Sequence, residues 1–525
     1  MTTIPLGKVP GIPALARGLA TGTPDVRAFL PDRPDLETIR ARAKEVRAAF
    51  VPRSGAETGP ALAALARGER AAVVTGQQAG LFGGPLLTLV KALAAEKLAA
   101  ELEGAGTPAG AAFWCASEDH DLVEVTRLVL PTPDGPKDFG DDAGPLAGNR
   151  RPVGRLPIGI DAGALVAAAA AGLAQPPDEE AVAALTAAHR NTTFLDAFQA
   201  TLSWLLARDG RDAMPVVDAA CAADKPALVP LASRLVAERR DVRRLLEERG
   251  AVLEAAGYPL QVTSDPAALP LFARVGEERL LLVEAGGRLS LKGREEAFDA
   301  EDVVARFESG EWLPSFAALS RPLAASTLFP VAATILGPAE IAYWAQSWPL
   351  FAWAGLVPPV LVPRPLVALL SPSAKRGLEK LGLSVEDVLG GPEAMLKKKG
   401  AGDARELLAR LASVGEGALR ELVALRPALL AVDPSLEKAI EATREKTAFA
   451  FAKLAEKTAS AAGRADNRTA QQVSRLAEEI LPDGVLAERA YSVLPYALRF
   501  GREALVGTLR RELQWHEAGL QVIEL

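Results

Sequence analysis

The chain has very few of the residues that build disulfide frameworks and zinc centres. Its 525 residues include only two cysteines, Cys115 and Cys221, and three histidines. Two cysteines are too few for a disulfide scaffold, and no Cys-x-x-Cys or Cys/His spacing suits zinc. We therefore exclude a small disulfide-rich secreted domain and a zinc-ribbon type of fold, predict no metal site of that kind, and favour a cytoplasmic protein.

An excess of positive charge and an uninterrupted apolar span are also lacking. The formal net charge is −7, which disfavours nucleic acid or an anionic membrane as the main partner. The first 22 residues lack the basic-then-apolar order of a signal peptide. Residues 341–362 carry no formal charge, but Pro349, Pro358 and Pro359 interrupt them, so we predict no membrane span there.

What the chain does have is the composition of a large globular protein. Hydrophobic residues make up 49% and charged residues 24% of the sequence, which are values typical of folded domains. A chain of 525 residues exceeds what one hydrophobic core usually organises. We expect two or three domains, and we expect small-molecule chemistry rather than a structural role.

Short apolar runs alternate with helical patterns along the first two thirds of the chain. This order predicts an α/β fold with a Rossmann-like, doubly wound parallel sheet. "AAVVT" and "GAAFWCAS" predict strands on either side of a helix over 86–103. Further along the chain we predict a helix over 196–210 and strands over 212–220 and 358–365.

Two insertions and a change of composition set the domain boundaries. We place insertions at about 131–160, which is rich in Pro, Gly and Asp, and at about 240–320, which contains an antiparallel meander. After Ser384 the residues Ala, Leu, Glu, Lys and Arg dominate. The predicted domains are therefore a core over 1–383, a helical coiled-coil arm over 384–480 and C-terminal helices over 481–525 that return to the core.

The arm contains two apolar seams with coiled-coil spacing. Asp433 and Pro434 separate the helices that carry them, as an N-cap residue and a first helical residue. Periodicity cannot say whether the partner helix belongs to the same chain, so a helical hairpin and a dimerisation arm both remain open. The first seam comprises Leu408, Leu411, Ala418, Leu422, Leu425 and Leu429; the second comprises Leu436, Ile440, Thr447, Phe451 and Leu454.

A glycine-rich turn follows the first predicted strand of the sheet. The segment "VVTGQQAGLFGGPL" places glycines between a strand and a helix, whose free N–H groups and positive dipole end suit an anion. Its spacing is neither that of a dinucleotide fingerprint nor that of a P-loop, and an ordinary strand-to-helix turn is the alternative. The candidate substrate-binding residues here are Thr75, Gly76, Gln77, Gln78 and Gly80.

The segment "SEDHD" follows the second strand. In an open α/β sheet, ligands bind outside the carboxyl ends of the strands. His120 beside carboxylates can act as a general base, while Glu118, Asp119 and Asp121 can orient it or bind sugar hydroxyls, an ammonium group or Mg²⁺. A solvated acidic turn with a capping aspartate is the alternative. Cys115 lies inside the apolar strand, where a small buried thiol is more common than a nucleophile.

A third candidate region is "RPLAASTLFPVAATILGPAEIAYWAQ", residues 321–346. Gly337 opens a predicted helix that carries Glu340, Tyr343 and Trp344, so polar groups stand on a turn among apolar residues. A sugar-stacking wall and aromatic core packing are both compatible with this pattern. His189 and His516 lack any motif context, and we predict no chemistry for them.

Four segments together carry a resemblance to a known family. "TGQQAGLFGGPLLTLVKA", "FWCASEDHD", the 321–346 segment and "LPDGVLAERAYSVLPYALRFG" resemble, in this order, the bacillithiol biosynthesis cysteine-adding enzymes. The resemblance runs nearly from end to end. It implies a cytoplasmic ligase with a Rossmann-like core and a C-terminal coiled coil, which joins L-cysteine to the amine of glucosaminyl malate and so forms bacillithiol. It also implies a homodimer paired through the coiled coil and binding of an adenine nucleotide.

The implied reaction assigns tasks to these residues. Amide formation needs a deprotonated amine, for which His120 suits as base, and a carboxylate activated by phosphorylation or adenylation. The helix N-terminus after Gly84, with Arg321 or Arg364, suits the developing anion. We expect ATP or ADP with Mg²⁺, beside residues 481–489. The chain has neither His-x-Gly-His nor Lys-Met-Ser-Lys-Ser, so the resemblance does not extend to that activation apparatus. A nucleotide-sugar transferase and a non-catalytic, metabolite-binding coiled-coil scaffold are the rival functions.

Overall fold

A computed structural model describes residues 2–525 except 33, 53–58, 133–134, 141–147, 174, 209–212, 222–224, 264 and 465–466. Parts of the predicted 131–160 insertion, of the 196–210 helix and of the 212–220 strand, and two residues of the predicted arm, therefore lie outside the described residues. The chain divides into two compact units. Unit 1 contains residues 1–368 with 488–523 and 525, and unit 2 contains residues 369–487 with 524.

The strands are named in chain order. They are β1 (Thr2–Pro5), β2 (Ala71–Gln77), β3 (Ala109–Cys115), β4 (Val129–Thr132), β5 (Gly135–Asp138), β6 (Val216–Asp218), β7 (Ala268–Val275), β8 (Glu278–Ala285), β9 (Arg288–Leu291), β10 (Ala297–Phe298), β11 (Leu313–Phe316), β12 (Val331–Leu336), β13 (Val360–Pro363), β14 (Leu366–Leu370) and β15 (Gly519–Glu524).

The α-helices are named in the same way. They are α1 (Ala14–Thr21), α2 (Pro24–Arg27), α3 (Leu36–Ala49), α4 (Pro60–Ala66), α5 (Leu86–Gly104), α6 (Leu122–Thr126), α7 (Ala162–Ala171), α8 (Glu179–Ala188), α9 (Phe194–Leu206), α10 (Lys225–Ala237), α11 (Arg239–Ala255), α12 (Ala300–Glu308), α13 (Arg321–Leu328), α14 (Pro338–Ser347), α15 (Pro349–Ala354), α16 (Pro372–Leu381), α17 (Val385–Val388), α18 (Gly391–Asp403), α19 (Arg405–Val432), α20 (Glu437–Arg464), α21 (Asn467–Ile480), α22 (Ala487–Ala490) and α23 (Leu494–Glu512).

A parallel sheet forms the centre of unit 1. Five of the described strands lie in the order β13-β12-β2-β3-β6, and every neighbouring pair is parallel. All six residues of β12 and the first five of β2 are buried, as expected for strands covered on both faces. The predicted Rossmann-like fold class is confirmed, because the chain runs outward from β2 to β6 and then returns to β12 and β13 on the other side.

The first half of the helix after β2, residues 86–95, is buried on all sides because it lies inside the unit. Most of α5 is buried, including Leu89, Val90 and Leu98 with 0% exposure, and a helix that is apolar all round is a buried one. Its only buried charged residue is Lys91, with 1% exposure. A charge in such a place requires specific partners, and these partners belong to the site described below.

Antiparallel strands accompany the parallel sheet. The strands β10-β9-β8-β7-β11 form a second sheet, and its β7-β8-β9 part is the predicted meander. The strands β4 and β5 form a short hairpin, and β1 pairs antiparallel with β15 from Thr2↔Val522 onward. None of the described helices is long and apolar enough to cross a membrane.

In unit 2 the two long helices of the arm pack against each other within one chain. A Cβ atom added to buried Gly415 of α19 would lie 2.9 Å from Cγ of Phe451 of α20, so the helices approach closely there. Leu408, Leu411, Leu422 and Leu429 are partly buried along α19. Asp433 caps the connecting turn through Ser435 N–H, as predicted.

Three seam residues do not lie on this inner face. Ala418 is exposed, and Leu425 and Leu454 are 55% and 50% exposed. The predicted seam therefore combined two different faces of the helices, because leucine spacing alone does not separate an inner stripe from an outer one. The hairpin alternative is correct for the inner face. It leaves the outer face available for a different contact.

Candidate functional site

Polar side chains gather at the carboxyl ends of the parallel strands. The strand order reverses between β2 and β12, and ligands of open α/β sheets bind outside the carboxyl ends at such a switch point. Gln77 ends β2, "SEDHD" follows β3, Asp218 ends β6 and Gly337 follows β12. The topology thus brings three separately predicted regions to one edge of the sheet.

Two arginines converge on the segment after β3. Arg321 Nη2, at the start of α13, lies 2.7 Å from Asp119 Oδ1, and Arg279 Nη1, on β8, lies 3.6 Å from the same oxygen. Arg279 Nη1 also lies 3.1 Å from His120 Nδ1. Arg279 is only 5% exposed, and its guanidinium stacks on the ring of Phe272, 3.6 Å from the ring centroid.

A buried ion pair lies directly beneath these groups. Glu118 and Lys225 are 6% and 1% exposed, and the Lys225 ammonium donates to Glu118 Oε1 and, at 2.9 Å, to the carbonyl of Ala219. Ser315 Oγ donates to Glu118 Oε2 at 2.9 Å and accepts from Arg279 Nε at 2.8 Å. We call Glu118, Asp119, His120, Lys225, Arg279, Ser315 and Arg321 the His120 cluster.

The backbone of "SEDHD" is held by a loop from the predicted insertion. Val153 N–H donates to the carbonyl of Asp119 at 2.7 Å, and Gly154 N–H donates to that of Ser117 at 3.0 Å. A Cβ atom on Gly154 would lie 2.6 Å from Cβ of Ser117, so only glycine fits this approach. Arg155 then reaches Asp218 at 2.5 Å. The insertion therefore supports the site.

The protonation of His120 follows from its partner. An arginine side chain can only donate, so His120 Nδ1 accepts from Arg279, and a neutral ring held this way carries its proton on Nε2. Partial desolvation and then the charge of Arg279 lower the pKa of His120 below its ordinary value, while Asp119 and Asp121 oppose this shift. The exposed ring is neutral at pH 7, with Nε2 having no partner among the described residues.

The glycine-rich turn contacts the segment that follows β3 through Gln78. Gln78 Nε2 donates to Glu124 Oε2 at 2.9 Å, and Asp121 caps the short helix α6 by accepting from Glu124 N–H at 3.3 Å. Burial first, and then Asp119 and Asp121, raise the pKa of Glu124. The predicted juxtaposition of "GQQAG" and "SEDHD" is therefore present, with Asp121 in the capping role.

Lys91 connects the central strand to the helix after β12. Its ammonium donates to the Gly76 carbonyl at 2.9 Å and to Gln77 Oε1 at 3.0 Å, and lies 2.5 Å from Glu340 Oε2. Glu340 also accepts from Gly337 N–H at the start of α14. The three N–H groups of the Lys91 ammonium thus have three oxygen acceptors, as a buried ammonium requires.

The glycine turn does not offer the anion site that its sequence predicts. Phe82 N–H donates to His189 Nε2 at 2.8 Å, Gly84 N–H to the Leu81 carbonyl at 2.9 Å, and Leu86 N–H to the Tyr491 carbonyl at 2.9 Å. The chain itself therefore occupies these three donors, including the first N–H group of α5, and they are not available to a developing anion. Phe82 adopts a positive φ of 52°, so the turn is a supported element that fixes the end of β2.

Four other predicted residues have contacts of their own. Arg364 pairs with buried Glu488 at 2.7 Å, away from the anion role expected of it. Trp344 is buried and stacks on Phe351, with ring centroids 6.1 Å apart, which is core packing. Thr75 Oγ1 donates to the Ile335 carbonyl at 2.9 Å.

Tyr343 is the fourth. Burial and Glu340 raise its pKa, and Arg321 lowers it. Its hydroxyl is therefore protonated at neutral pH and lies within electrostatic reach of the His120 cluster.

Gly80 and Cys115 have structural roles. Gly80 is packed against Gly84, because a Cβ atom there would lie 2.9 Å from Cα of Gly84. Burial, Asp218 and Asp119 raise the pKa of the Cys115 thiol, which agrees with a structural cysteine.

Sequence reasoning missed three of the seven residues of the His120 cluster. Arg279 and Ser315 stand on strands of the second sheet, and Lys225 begins a helix more than one hundred residues after Glu118. One signal for a polar contact at this edge was Lys91, which follows five uncharged residues at the start of the predicted 86–103 helix. No local pattern marks Ser315.

The described residues contain no group of three or more His, Cys, Asp or Glu side chains placed to hold a metal ion. Mg²⁺ usually keeps several waters and binds through one or two carboxylates plus substrate phosphates. The side chains here that fit a nucleotide phosphate are Arg321 and Arg155, which are 24% and 47% exposed at their side chains.

The fold and this edge define an α/β protein with a Rossmann-like domain followed by a coiled-coil domain. Two family models match in that order: the Bacillithiol biosynthesis BshC N-terminal Rossmann-like domain over residues 38–365, and the BshC C-terminal coiled-coil domain over residues 367–525. The chain belongs to the bacillithiol biosynthesis BshC family.

Curated relatives agree with this assignment. A protein of Koribacter versatilis is 32% identical over 83% of this chain and 81% of its own length, and one of Solibacter usitatus is 32% identical over 84% and 82%. A protein of Thermus thermophilus is 30% identical over 88% and 90%. All three carry the name "Putative cysteine ligase BshC".

Proposed function

We propose that this chain is a cysteine ligase that acts in the cytoplasm and forms an amide between the carboxyl group of L-cysteine and the amine of glucosaminyl malate. In the balanced reaction a C–N bond forms, the amine loses one proton, and one carboxyl oxygen leaves with the group that activated it. Family membership supports the class of reaction, and the names of the relatives support cysteine as a substrate.

The observation that carries the proposal is the His120 cluster. It places two arginines, a neutral histidine and carboxylates at the carboxyl edge of a Rossmann-like sheet. Arginine suits a substrate carboxylate or a phosphate because its guanidinium presents paired donors. Carboxylates suit sugar hydroxyls and ammonium groups. This combination matches a zwitterionic amino acid and an anionic amino sugar better than it matches a neutral ligand.

His120 has two possible tasks in this reaction, and its geometry favours one. A base at Nε2 must carry its proton on Nδ1, but Arg279 donates to Nδ1. With Arg279 in place, His120 presents an Nε2–H donor to a substrate oxygen. The base role remains a prediction that requires Arg279 to release the ring when substrate binds.

We propose ATP with Mg²⁺ as the source of activation. When bound, the nucleotide would make the cysteine carboxyl carbon electrophilic, and Arg321 and Arg155 would neutralise its phosphate charge. The test incubates the full-length protein with cysteine and glucosaminyl malate, with and without Mg-ATP, and follows bacillithiol by mass. Product formed only with Mg-ATP supports both the ligase reaction and ATP as the source of activation. Product without ATP rejects the nucleotide, and no product under any condition rejects the ligase proposal.

We also propose that a second copy of the chain covers the outer face of α19. Leu407, Val414, Leu425 and Val432 are 53%, 61%, 55% and 81% exposed. Their spacings of 7, 11 and 7 residues keep the four side chains within about 20° of one line on the helix. A row of exposed apolar side chains of this length indicates an interface.

Light scattering tests the homodimer. Replacing Leu425 and Val432 with Lys should give monomers, because charges would enter the apolar contact. Val423→Lys is the matched control, since Val423 is 54% exposed on the opposite side of the same helix. A dimer that survives the double substitution, or a wild-type monomer, contradicts the proposal.

A further inference from the structure

A small, partly enclosed cavity lies beside the His120 cluster and is not explained by the contacts described above. It opens between the ends of β3 and β6, the start of α10 and the helix α13. Four of its lining side chains are charged and several are apolar. It has room for only a water-sized group in this state, which limits any occupant to the smallest side chains.

The charged part of the lining is balanced. Glu118 and Asp218 supply two carboxylates, while Lys225 and Arg321 supply two cations. Asp218 is held at the end of β6 by Arg155, at 2.5 Å, and by the Ser117 hydroxyl. Paired carboxylates near paired cations complement a zwitterion, whose ammonium and carboxylate need partners of both signs.

The remaining wall is apolar apart from one donor. Phe316, Ala324 and Leu328 line it together with Trp114. The indole Nε1–H of Trp114 is buried and has no hydrogen-bond partner within the described part of the chain. A buried polar group without a partner requires an explanation, and a bound ligand is one. An aromatic ring also makes favourable contacts with sulfur.

We infer that this cavity is the subsite for the cysteine substrate and sets the selectivity for its side chain. The inference rests on the proposed ligase function. Because the cavity has room for only a water-sized group, the thiol alone would enter it, beside Trp114. The ammonium and the carboxyl group would stay outside, near Asp218 and Arg321, whose side chains are 16% and 24% exposed. Because Arg321 also holds Asp119 next to His120, the carboxyl carbon is then presented to the reacting side of the cluster.

This arrangement discriminates by chemistry and by size. Serine has nearly the shape of cysteine, but its hydroxyl loses more hydration in an apolar wall than a thiol does. Methionine is too long for the cavity. A pocket that differs by one methylene typically changes selectivity by about 10- to 200-fold. We therefore expect serine to bind at least about tenfold more weakly than cysteine and methionine not to bind. L-2-aminobutyrate should also bind more weakly than cysteine, because its methyl group cannot accept a hydrogen bond from Trp114 Nε1–H.

The test combines calorimetry with steady-state kinetics on the full chain. Ala324 is 1% exposed on α13, so Ala324→Leu fills the cavity and should raise the KM for cysteine at least about tenfold while leaving that for glucosaminyl malate unchanged. Ser326→Ala is the matched control. It changes the same helix, but Ser326 lines a different cavity.

Trp114→Phe provides a second variant in case Ala324→Leu does not fold, because it keeps a ring and removes only the N–H and part of the area. It should weaken cysteine binding in calorimetry without affecting glucosaminyl malate. Unchanged cysteine binding in both folded variants, or equal wild-type affinity for cysteine, serine and methionine, overturns the subsite. Absence of any ligase activity would instead reject the proposed function, and cysteine binding measured by calorimetry would still test the cavity.

Discussion

The surroundings of His120 and of His189 show how differently one residue type is used in the same unit. His189 is 2% exposed; its Nδ1–H donates to the Leu185 carbonyl at 2.9 Å, and its Nε2 accepts from Phe82 N–H at 2.8 Å. Its ring also stacks on that of Phe82, with centroids 4.1 Å apart. His120 is exposed and uses only Nδ1, toward Arg279.

Both histidines have a lowered pKa, so a shifted pKa does not distinguish them. Burial lowers the pKa of His189 to about 4, and desolvation together with Arg279 lowers that of His120. The difference lies in the ring atoms. His189 has a protein partner at both nitrogens and can only support the glycine turn, whereas His120 presents Nε2 to a ligand. The free atom, rather than the perturbed titration, marks the residue for chemistry.

The largest expected effect separates the two histidines by activity. His120→Leu removes both a donor and a base, and we expect kcat/KM to fall by about 10²- to 10⁴-fold. His189→Gln retains an acceptor for Phe82 N–H, so its kcat/KM should stay within a few-fold of the parent. Bacillithiol formation followed by mass provides the measurement. Equal losses in the two variants would contradict the comparison.

His120→Gln sharpens the same experiment. A glutamine amide places a donor near the position of Nε2 but cannot accept a proton at neutral pH. Activity close to that of the parent would identify His120 as a donor, and a loss as large as that of His120→Leu would identify it as the base. His516→Gln, at an exposed position of the same unit, serves as the substitution control.

The second effect is on stability and belongs to His189. Its pKa is about 4 when folded and 6.5 as the ordinary value, so the unfolded chain binds the proton first as the pH falls. The contribution of His189 to the free energy of unfolding is therefore fully present above pH 6.5 and is lost toward pH 4. It decreases by about 2 kcal/mol between pH 7 and pH 5. Urea unfolding of the parent and of His189→Gln measures this difference. The parent should lose more of its free energy of unfolding between pH 7 and pH 5 than His189→Gln does. Equal losses in the two proteins would contradict the buried, neutral state of His189.

The smallest effect concerns the pH profile of the reaction. Arg279 lowers the pKa of His120, so Arg279→Met should raise this pKa toward its ordinary value and move the acid limb of the kcat/KM profile to higher pH. Arg155→Met is the control, because Arg155 pairs with Asp218 and does not contact His120. An acid limb that stays in place in Arg279→Met would show that another group sets it.

Much of the fold was predictable because its signals are local. The apolar runs of β2, β3 and β13, the meander of β7 to β9 and the cap at Asp433 are each encoded within a few neighbouring residues. The fold class follows from their order. The approach of Gln78 to the segment after β3 was also predictable, since parallel neighbours end at the same edge.

The rest of the site was not predictable, because it depends on contacts between distant segments. Lys225 and Arg279 are matched to Glu118 and His120 only by the tertiary fold. The anion site expected at the glycine turn failed for the same reason: His189 and Tyr491, far along the chain, provide acceptors for its N–H groups. Sequence shows which donors a turn has but not whether they are already used.

The pairing of β2 with β12 has a consequence for how the protein is made. Thr75 and the Ile335 carbonyl to which it donates are 260 residues apart. At about 5–20 residues per second, the ribosome needs roughly 13 to 52 seconds between synthesis of the first partner and the second. During that interval one edge of β2, whose first five residues are buried in the folded protein, has no neighbour. An unpaired apolar edge favours aggregation. Slow translation between these strands should therefore increase the dependence of the nascent chain on chaperones.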